Sequence, residues 1–225
     1  MKIDEVTPVL DVHPPHETPH GWRDFFIHLF TITIGLLIAL SLEGIVEWQH
    51  HRHLVHDAEA SLHKEIQNNA NIIQTTLDEL DKEQANLKHD IAVLQMLVKT
   101  HKAPANESLY VDFRIHTFEG VSWKTAQSTG ALSYMPYNRA QEYADIYATQ
   151  DELATSEQQT SRDAILSLGP LNNATGDQFN PTPAQTDALM DRMETLQGQL
   201  ILVDNFMQSL SRQYKEFLAA HPGDR

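Results

Sequence analysis

The sequence predicts an all-α protein, in which one N-terminal transmembrane helix continues into a long antiparallel helical bundle or coiled-coil-like domain. Three observations predict this fold class. Residues 25–46 form a single apolar run, apolar residues recur at alternating intervals of four and three in two later stretches, and neither Gly nor Pro occurs from Ile45 to Ala103. A chain of 225 residues suits one domain and an anchor. The predicted divisions are a disordered, Pro- and His-rich tail (1–21), the transmembrane helix (22–48) and an extramembrane helical domain (49–225).

The apolar run has the length and flanks of a membrane span. No charged residue occurs from Phe25 to Leu42, and a helix needs about 20 apolar residues to cross the hydrocarbon core. Trp22 and Trp48 bracket the run and lie about 39 Å apart along a helix, close to the bilayer thickness with its headgroups. Trp prefers that interface because its ring is apolar and its N–H is polar. We therefore interpret Trp22 and Trp48 as interface anchors.

A cleaved signal peptide is the alternative interpretation of this run. Signal peptides begin with a basic region and end at a small-residue cleavage site. Residues 1–24 hold two basic and five acidic side chains, and Ala39-Leu40-Ser41 is a poor cleavage site. An uncleaved anchor is the favoured reading.

One face of the predicted span carries small residues at intervals of four: Thr31, Gly35 and Ala39, with Glu43 continuing the row. Such a row lets a second helix approach closely. It predicts a packing face for a second copy or for another membrane protein, although Gly, Ala and Thr are also common in membrane helices generally.

Two heptad-like stretches predict the helical domain. The first comprises Ile73, Leu77, Leu80, Leu87, Ile91, Leu94 and Val98, with Gln84 at one seam position. The second comprises Leu189, Met193, Leu196, Leu200, Val203, Met207, Leu210, Tyr214 and Phe217. Thr182, Pro183 and Gln185 form a capping box before the second stretch. We expect these two helices to pair antiparallel, with a helix at 137–168 alongside and Asn68, Asn69 and Asn71 setting the register.

The region between the heptads has a different pattern. Residues 109–115 alternate like a short strand, or form an extended segment lying on the helices. Ser122 is positioned to cap a short helix that Gly130 ends. Pro136 suits the start of the next helix.

Composition limits the possible chemistry. A formal net charge of −15 disfavours nucleic acid as a partner. The absence of Cys removes disulfides, Fe–S clusters and Cys-ligated zinc. His50, His53 and His56 suggest metal binding, pH sensing or an interfacial belt, and the last is favoured. The sequence holds no nucleophile elbow, phosphate loop or His-Glu-x-x-His motif, so we expect no enzyme activity, no cofactor and no metal site.

Two blocks of sequence resemble a family of bacterial single-pass membrane proteins built around a domain of unknown function. The first is Ile34-Gly35-Leu36-Leu37-Ile38-Ala39-Leu40 followed by Trp48 and a charged helix. The second is Trp123, Ala126-Gln127, Gly130-Ala131-Leu132 and Met135-Pro136 with Tyr143 and Tyr147. The resemblance implies an inner-membrane anchor with a cytoplasmic N-terminus and an extracytoplasmic helical domain. The acidic N-terminus departs from the family pattern.

The expected function is that of a membrane-anchored helical scaffold or protein-interaction protein. The alternative is a single-pass sensory module that passes a signal to a partner. The expected partners are the lipid bilayer and either a second copy of the chain or another membrane protein.

Overall fold

The computed structural model of the chain describes residues 21–100, 109, 113–172 and 181–223. No strand occurs among these residues, so the predicted all-α class is confirmed. The expected tail, apart from Gly21, lies outside the described residues. The helices are α1 (Trp22–Thr100), α2 (Val121–Ser128), α3 (Tyr137–Asn172) and α4 (Pro183–Ala220), with a 3-10 turn at Ala131–Tyr134.

α1 runs from Trp22 to Thr100, as the absence of Gly and Pro beyond Gly44 predicts. The chain divides into two units between His50 and His51. In the first unit every side chain from residue 21 to residue 50 is exposed. Within the described part of the chain, α1 is the one helix that is long and apolar enough to cross a bilayer, and none of its apolar stretch is buried.

α4 supplies the apolar stripe of the second unit. Its first turn has the predicted capping box between Thr182 and Gln185, with Pro183 at the first helical position. All nine residues of the predicted stripe, from Leu189 to Phe217, are buried. They belong to one hydrophobic core shared with α1 and α3.

α1 contacts α4 along a seam whose residue numbers run in opposite directions. The His63 ring lies 6.1 Å from that of Phe217, and Gln84 donates to the Leu200 carbonyl at 3.5 Å. The centre of the buried α1 face is an apolar row repeating every seven residues: Ile66, Ile73, Leu80, Leu87 and Leu94. A second heptad row beside it is also buried, but it is polar: Asn69, Thr76, Glu83 and Asp90.

The heptad predicted from the sequence has its second buried row at Leu77, Gln84, Ile91 and Val98. The first three of these positions each lie one residue after a position of the polar row that the structure buries. Ile91 is buried as expected, whereas Leu77 and Gln84 are only half-buried and Val98 is 37% exposed. The difference arises because another part of the chain, residues 114–119, bonds Asn69 and Glu83 of the polar row. Residues on that side of the apolar row are therefore buried as well.

α3 and α4 approach each other more closely than the other helices do. Their contacts also run in opposite directions, since Gln213 donates to Thr149 at 3.0 Å and Gln199 donates to Asp163. Near the end of α3, Arg192 Nη1 of α4 donates to the Leu166 carbonyl at 2.6 Å. Pro170 lacks the N–H that would bond that carbonyl within the helix, so Arg192 replaces the missing donor.

Three details differ from the sequence-based expectations. α3 continues to Asn172 instead of ending before Gly169. Ser122 lies inside α2, and Gly120 is its N-cap. The expected strand is wrong for the described part of 109–115, because Leu109 and Phe113–Gly120 have neither strand pairing nor helix. The alternative expectation, an extended segment lying on the helices, is confirmed for those residues.

Gly130 has φ of 76°, in the left-handed region, and follows the end of α2 as predicted. A Cβ at this position meets nothing within 4 Å, so Gly130→Ala creates no steric clash. Its only effect is to force alanine into a left-handed backbone conformation. We expect it to lower the free energy of unfolding by about 1–2 kcal/mol. Gly198→Ala in α4, where a Cβ also meets nothing, is the matched control and should raise it by about 0.5–1 kcal/mol.

Denaturant unfolding of the full chain in mild detergent, followed by circular dichroism, measures both changes. Equal changes in the free energy of unfolding would contradict this expectation, because they would mean that alanine adopts the left-handed backbone at position 130 without strain.

Candidate functional site: a polar clamp on an extended segment

The segment Phe113–Gly120 lies between helices without helical or strand hydrogen bonds of its own. Backbone N–H and C=O groups withdrawn from water need partners. Here side chains of α1 and α3 provide them. We call Glu65, Asn69 and Glu83 of α1 together with Gln150 and Glu157 of α3 the polar clamp.

The α1 side of the clamp meets both ends of the segment. Asn69 Nδ2 donates to the Glu119 carbonyl at 2.8 Å, and the Glu119 N–H donates to Asn69 Oδ1 at 2.9 Å. Glu83 accepts from the Arg114 N–H at 3.1 Å. The segment therefore runs antiparallel to α1 along the polar row from Asn69 to Glu83.

The α3 side of the clamp uses two residues one heptad apart. Gln150 Nε2 donates to the carbonyls of Glu119 at 2.9 Å and Phe118 at 3.4 Å. Glu157 Oε1 accepts from the His116 N–H at 3.4 Å. Tyr214 of α4 donates to Gln150 Oε1 at 2.9 Å, which fixes the amide orientation. All three long helices thus contribute to holding the segment.

Glu65 joins the clamp to the first turn of α2. Its carboxylate accepts from the Ser122 N–H at 2.7 Å and from the Tyr147 hydroxyl at 2.6 Å. A carboxylate at a helix N-terminus satisfies an orphan N–H and complements the helix dipole. Burial, and then the hydrogen bond to Glu65, raise the pKa of Tyr147 far above its usual range. The phenol remains a donor to Glu65 at any pH near neutrality.

His116 is the ionisable group enclosed by this arrangement. Its side chain is 10% exposed, and its ring lies 3.2 Å from Glu157 Oε1 and 3.5 Å from Glu79 Oε2. The hydrogen bond to Glu157 raises the pKa of His116 above 6.5, burial opposes this, and the charges of Glu157, Glu83 and Glu79 add to it. The proton of the His116 ring is therefore held more tightly than that of a free imidazole, among three carboxylates.

A cleft of about 300 Å³ opens between the segment, α2 and α3. The ring of Trp123 stacks on that of Tyr147, with centroids 5.0 Å apart and planes 5° from parallel. This volume is at the lower end of the range for small-molecule sites. The cleft combines a flat aromatic wall with a charged end and is lined by His116, Phe118, Trp123, Lys124, Tyr147 and Glu157, among others.

The residues that the sequence assigns to a packing face and to interface anchors lie in the first unit. Thr31, Gly35, Ala39 and Glu43 share one exposed face of α1, and the Thr31 hydroxyl donates within its own helix to Ile27 at 2.9 Å. Trp22 and Trp48 are 77% and 61% exposed. Of the juxtamembrane histidines, His51 stacks on Tyr134 at 3.6 Å between centroids. Within the described residues no three His, Asp or Glu side chains converge as metal ligands would.

Sequence reasoning missed most of the clamp. Only Asn69 was noted, as a polar residue setting register. A signal was present, because Asn69, Thr76, Glu83 and Asp90 recur every seven residues beside the apolar row. Gln150 and Glu157 repeat the same spacing in α3. Of these, Asn69 and Glu83 in α1 and both residues in α3 bond the backbone of the segment.

We expect Asn69→Ala to lower the free energy of unfolding by about 2–3 kcal/mol, because it removes the two hydrogen bonds of a fully buried amide and leaves the Glu119 N–H without its acceptor. Asn68→Ala is the matched control. Asn68 is exposed and its amide contacts only the Glu119 side chain, at 3.3 Å, so its loss should change stability by less than about 0.5 kcal/mol. Thermal unfolding of both variants measures the difference, and equal midpoints would contradict the clamp.

No protein-family model matches the chain, and neither a curated protein nor a solved structure is significantly similar to it.

Proposed function

We propose that the protein is a membrane-anchored helical scaffold, whose second unit presents long helices for assembly with other proteins. The observation that carries this proposal is the exposed apolar stretch of α1, of which no part is buried. An exposed apolar surface much larger than a few hundred Å² marks a membrane or protein contact. A lipid bilayer satisfies the whole circumference of such a helix.

The flanks of this stretch support a span rather than a soluble contact. Trp22 and Trp48 are both exposed, at the separation expected for the two interfaces. Thr31, Thr33 and Ser41 each bond a carbonyl of their own helix, which satisfies their hydroxyls in a medium without water.

The second unit supports a scaffold through the regularity of its packing. Contacts of α1 with α4, and of α3 with α4, run in opposite directions along the chain, as in an antiparallel, coiled-coil-like bundle. α4 has 38 residues and is about 57 Å long. The outer faces are mixed, since α3 exposes Ile165 and Leu166 and α4 exposes Ile201 and Leu202. The net charge of −15 disfavours nucleic acid as the partner.

We propose an inner-membrane location with the N-terminus in the cytoplasm and the helical unit outside it. Basic residues near the two ends of the span are equal in number, Lys2 and Arg23 against Arg52 and Lys64, so the positive-inside rule does not decide. The resemblance to single-pass bacterial proteins supports this orientation.

Scaffolding by self-association is tested at the row Thr31, Gly35, Ala39 and Glu43. A Cβ on Gly35 meets nothing within 4 Å in the single chain, so Gly35→Leu with Ala39→Leu is tolerated by the monomer. In a dimer packed on this row, the two substitutions should weaken self-association about tenfold or more, which corresponds to about 1.4 kcal/mol. Crosslinking in detergent and in membranes measures the change.

The matched control is Thr33→Leu with Ser41→Leu, which places the same bulk on small residues outside the row. Self-association that is equally weakened by both pairs contradicts a specific seam. A strictly monomeric wild-type chain contradicts self-association altogether.

A sensory module is the second candidate, and His116 is the observation that favours it. The ring is enclosed by Glu157 of α3 and by Glu79 and Glu83 of α1, and Arg114 on its own segment pairs with Glu79 at 3.8 Å. Loss of the His116 proton leaves these carboxylates without their central cation. Deprotonation would therefore loosen the segment between α1 and α3.

The sign of the pH dependence follows from the raised pKa of His116. The stability that it contributes is fully present below pH 6.5 and is lost as the pH rises through the higher pKa of the folded state. We expect wild-type protein to be more stable than His116→Gln at acidic pH and this difference to shrink at alkaline pH. Thermal midpoints of the full chain across this range measure it.

The difference between wild type and His116→Gln cancels the titration of groups that do not interact with His116, and leaves that of His116 with its neighbours Glu157, Glu83 and Glu79. A difference between the two proteins that does not vary with pH would contradict a titrating role for His116.

A further inference from the structure

Residues 133–138 form the turn that joins the end of the 3-10 turn to the start of α3. This turn carries two exposed aromatic side chains. Tyr134 and Tyr137 are 50% and 83% exposed, whereas Met135 between them is 7% exposed. Met135 therefore fixes the turn to the core, and the two Tyr rings are held outward.

The charge around this turn differs from that of the rest of the molecule. Residues 125–138 contain no charged side chain, in a chain with a formal net charge of −15. The first charged residues on either side are Lys124 and Arg139, and both are basic. Arg139 is paired with Glu59 at 3.9 Å and with Glu142 at 3.7 Å, so its charge is balanced. The stretch is thus uncharged and tyrosine-bearing in an acidic protein, which suits contact with uncharged lipid headgroups.

Covalent connection keeps the turn near the predicted anchor residue Trp48. The Tyr134 ring stacks on that of His51 with centroids 3.6 Å apart. His51 follows Trp48 by three residues, so their Cα atoms lie within about 11 Å of each other whatever the direction of the chain. If Trp48 lies at the membrane–water interface, Tyr134 lies close to that interface too.

We propose that the turn at 133–138 is a second membrane contact, in which Tyr134 and Tyr137 insert into the headgroup region of the bilayer that α1 enters. Tyr suits this position because its ring is apolar and its hydroxyl remains hydrated. This contact rests on the proposed anchor. It adds a lipid contact of the second unit to its covalent tether.

The chain has no Cys, so single-Cys variants can be labelled with a nitroxide without further changes. The test uses the full chain in phosphatidylcholine vesicles and compares accessibility to oxygen, which concentrates in lipid, with accessibility to a water-soluble nickel chelate. Tyr137→Cys probes the turn, and Asn138→Cys repeats the measurement with both Tyr residues intact. Leu36→Cys reports the anchor, and Ile201→Cys, on α4 and 50% exposed in the wild type, reports water.

We expect the oxygen-to-nickel ratio at residues 137 and 138 to exceed that at residue 201 and to stay below that at residue 36. Ratios at residues 137 and 138 equal to that at residue 201, with a high ratio at residue 36, overturn the inference and leave the anchor standing. A low ratio at residue 36 overturns both. Spin–spin broadening at residue 137 that disappears on dilution with unlabelled protein assigns the turn to a second copy and also overturns the inference.

Discussion

The backbone of residues 113–122 imposes the constraint on which the second unit depends. Most of this stretch lies outside any helix, because α2 begins only at Val121. Its N–H and C=O groups therefore need partners other than those of regular secondary structure. Asn69, Glu83, Gln150 and Glu157 satisfy the extended part, and Glu65 satisfies the first turn of α2. The three long helices must therefore keep a common register, since a shift of any one would leave several of these groups unsatisfied.

Burying this many polar side chains is a poor route to stability by itself. Desolvation of a carboxylate or amide offsets most of what its hydrogen bonds contribute. The gain is specificity, because an apolar heptad row allows slippage by seven residues whereas a row of different polar groups does not. Slippage of α1 by one heptad would place Thr76 where Asn69 bonds both backbone groups of Glu119, and a hydroxyl cannot reproduce that reciprocal amide pair.

The sequence predicts the parts of this fold whose causes are local. The capping box at Thr182, the stripe from Leu189 to Phe217 and the uninterrupted α1 all follow from spacing within one helix. The clamp could not be predicted in the same way, because Asn69 and Glu119, or Glu65 and Tyr147, are distant in sequence. The alternation near residue 113 predicts either a strand or an unpaired extended segment, because a segment held by side chains has the same period as one held by a neighbouring strand.

The clamp and the tyrosine-bearing turn are two ends of one continuous stretch. α2 has eight residues, too few to be stable as an isolated helix, so the contacts at its two ends determine its position. Glu65 holds its first turn. Beyond Gly130 the chain is fixed by buried Met135 and by the stacking of Tyr134 on His51. Trp123 of α2 stacks on the same Tyr147 that bonds Glu65. Tyr147 therefore holds α2 twice, through its ring and through the carboxylate that meets the first turn. The position of this short helix thus depends on contacts with α1 and α3, because its own hydrogen bonds are too few to fix it.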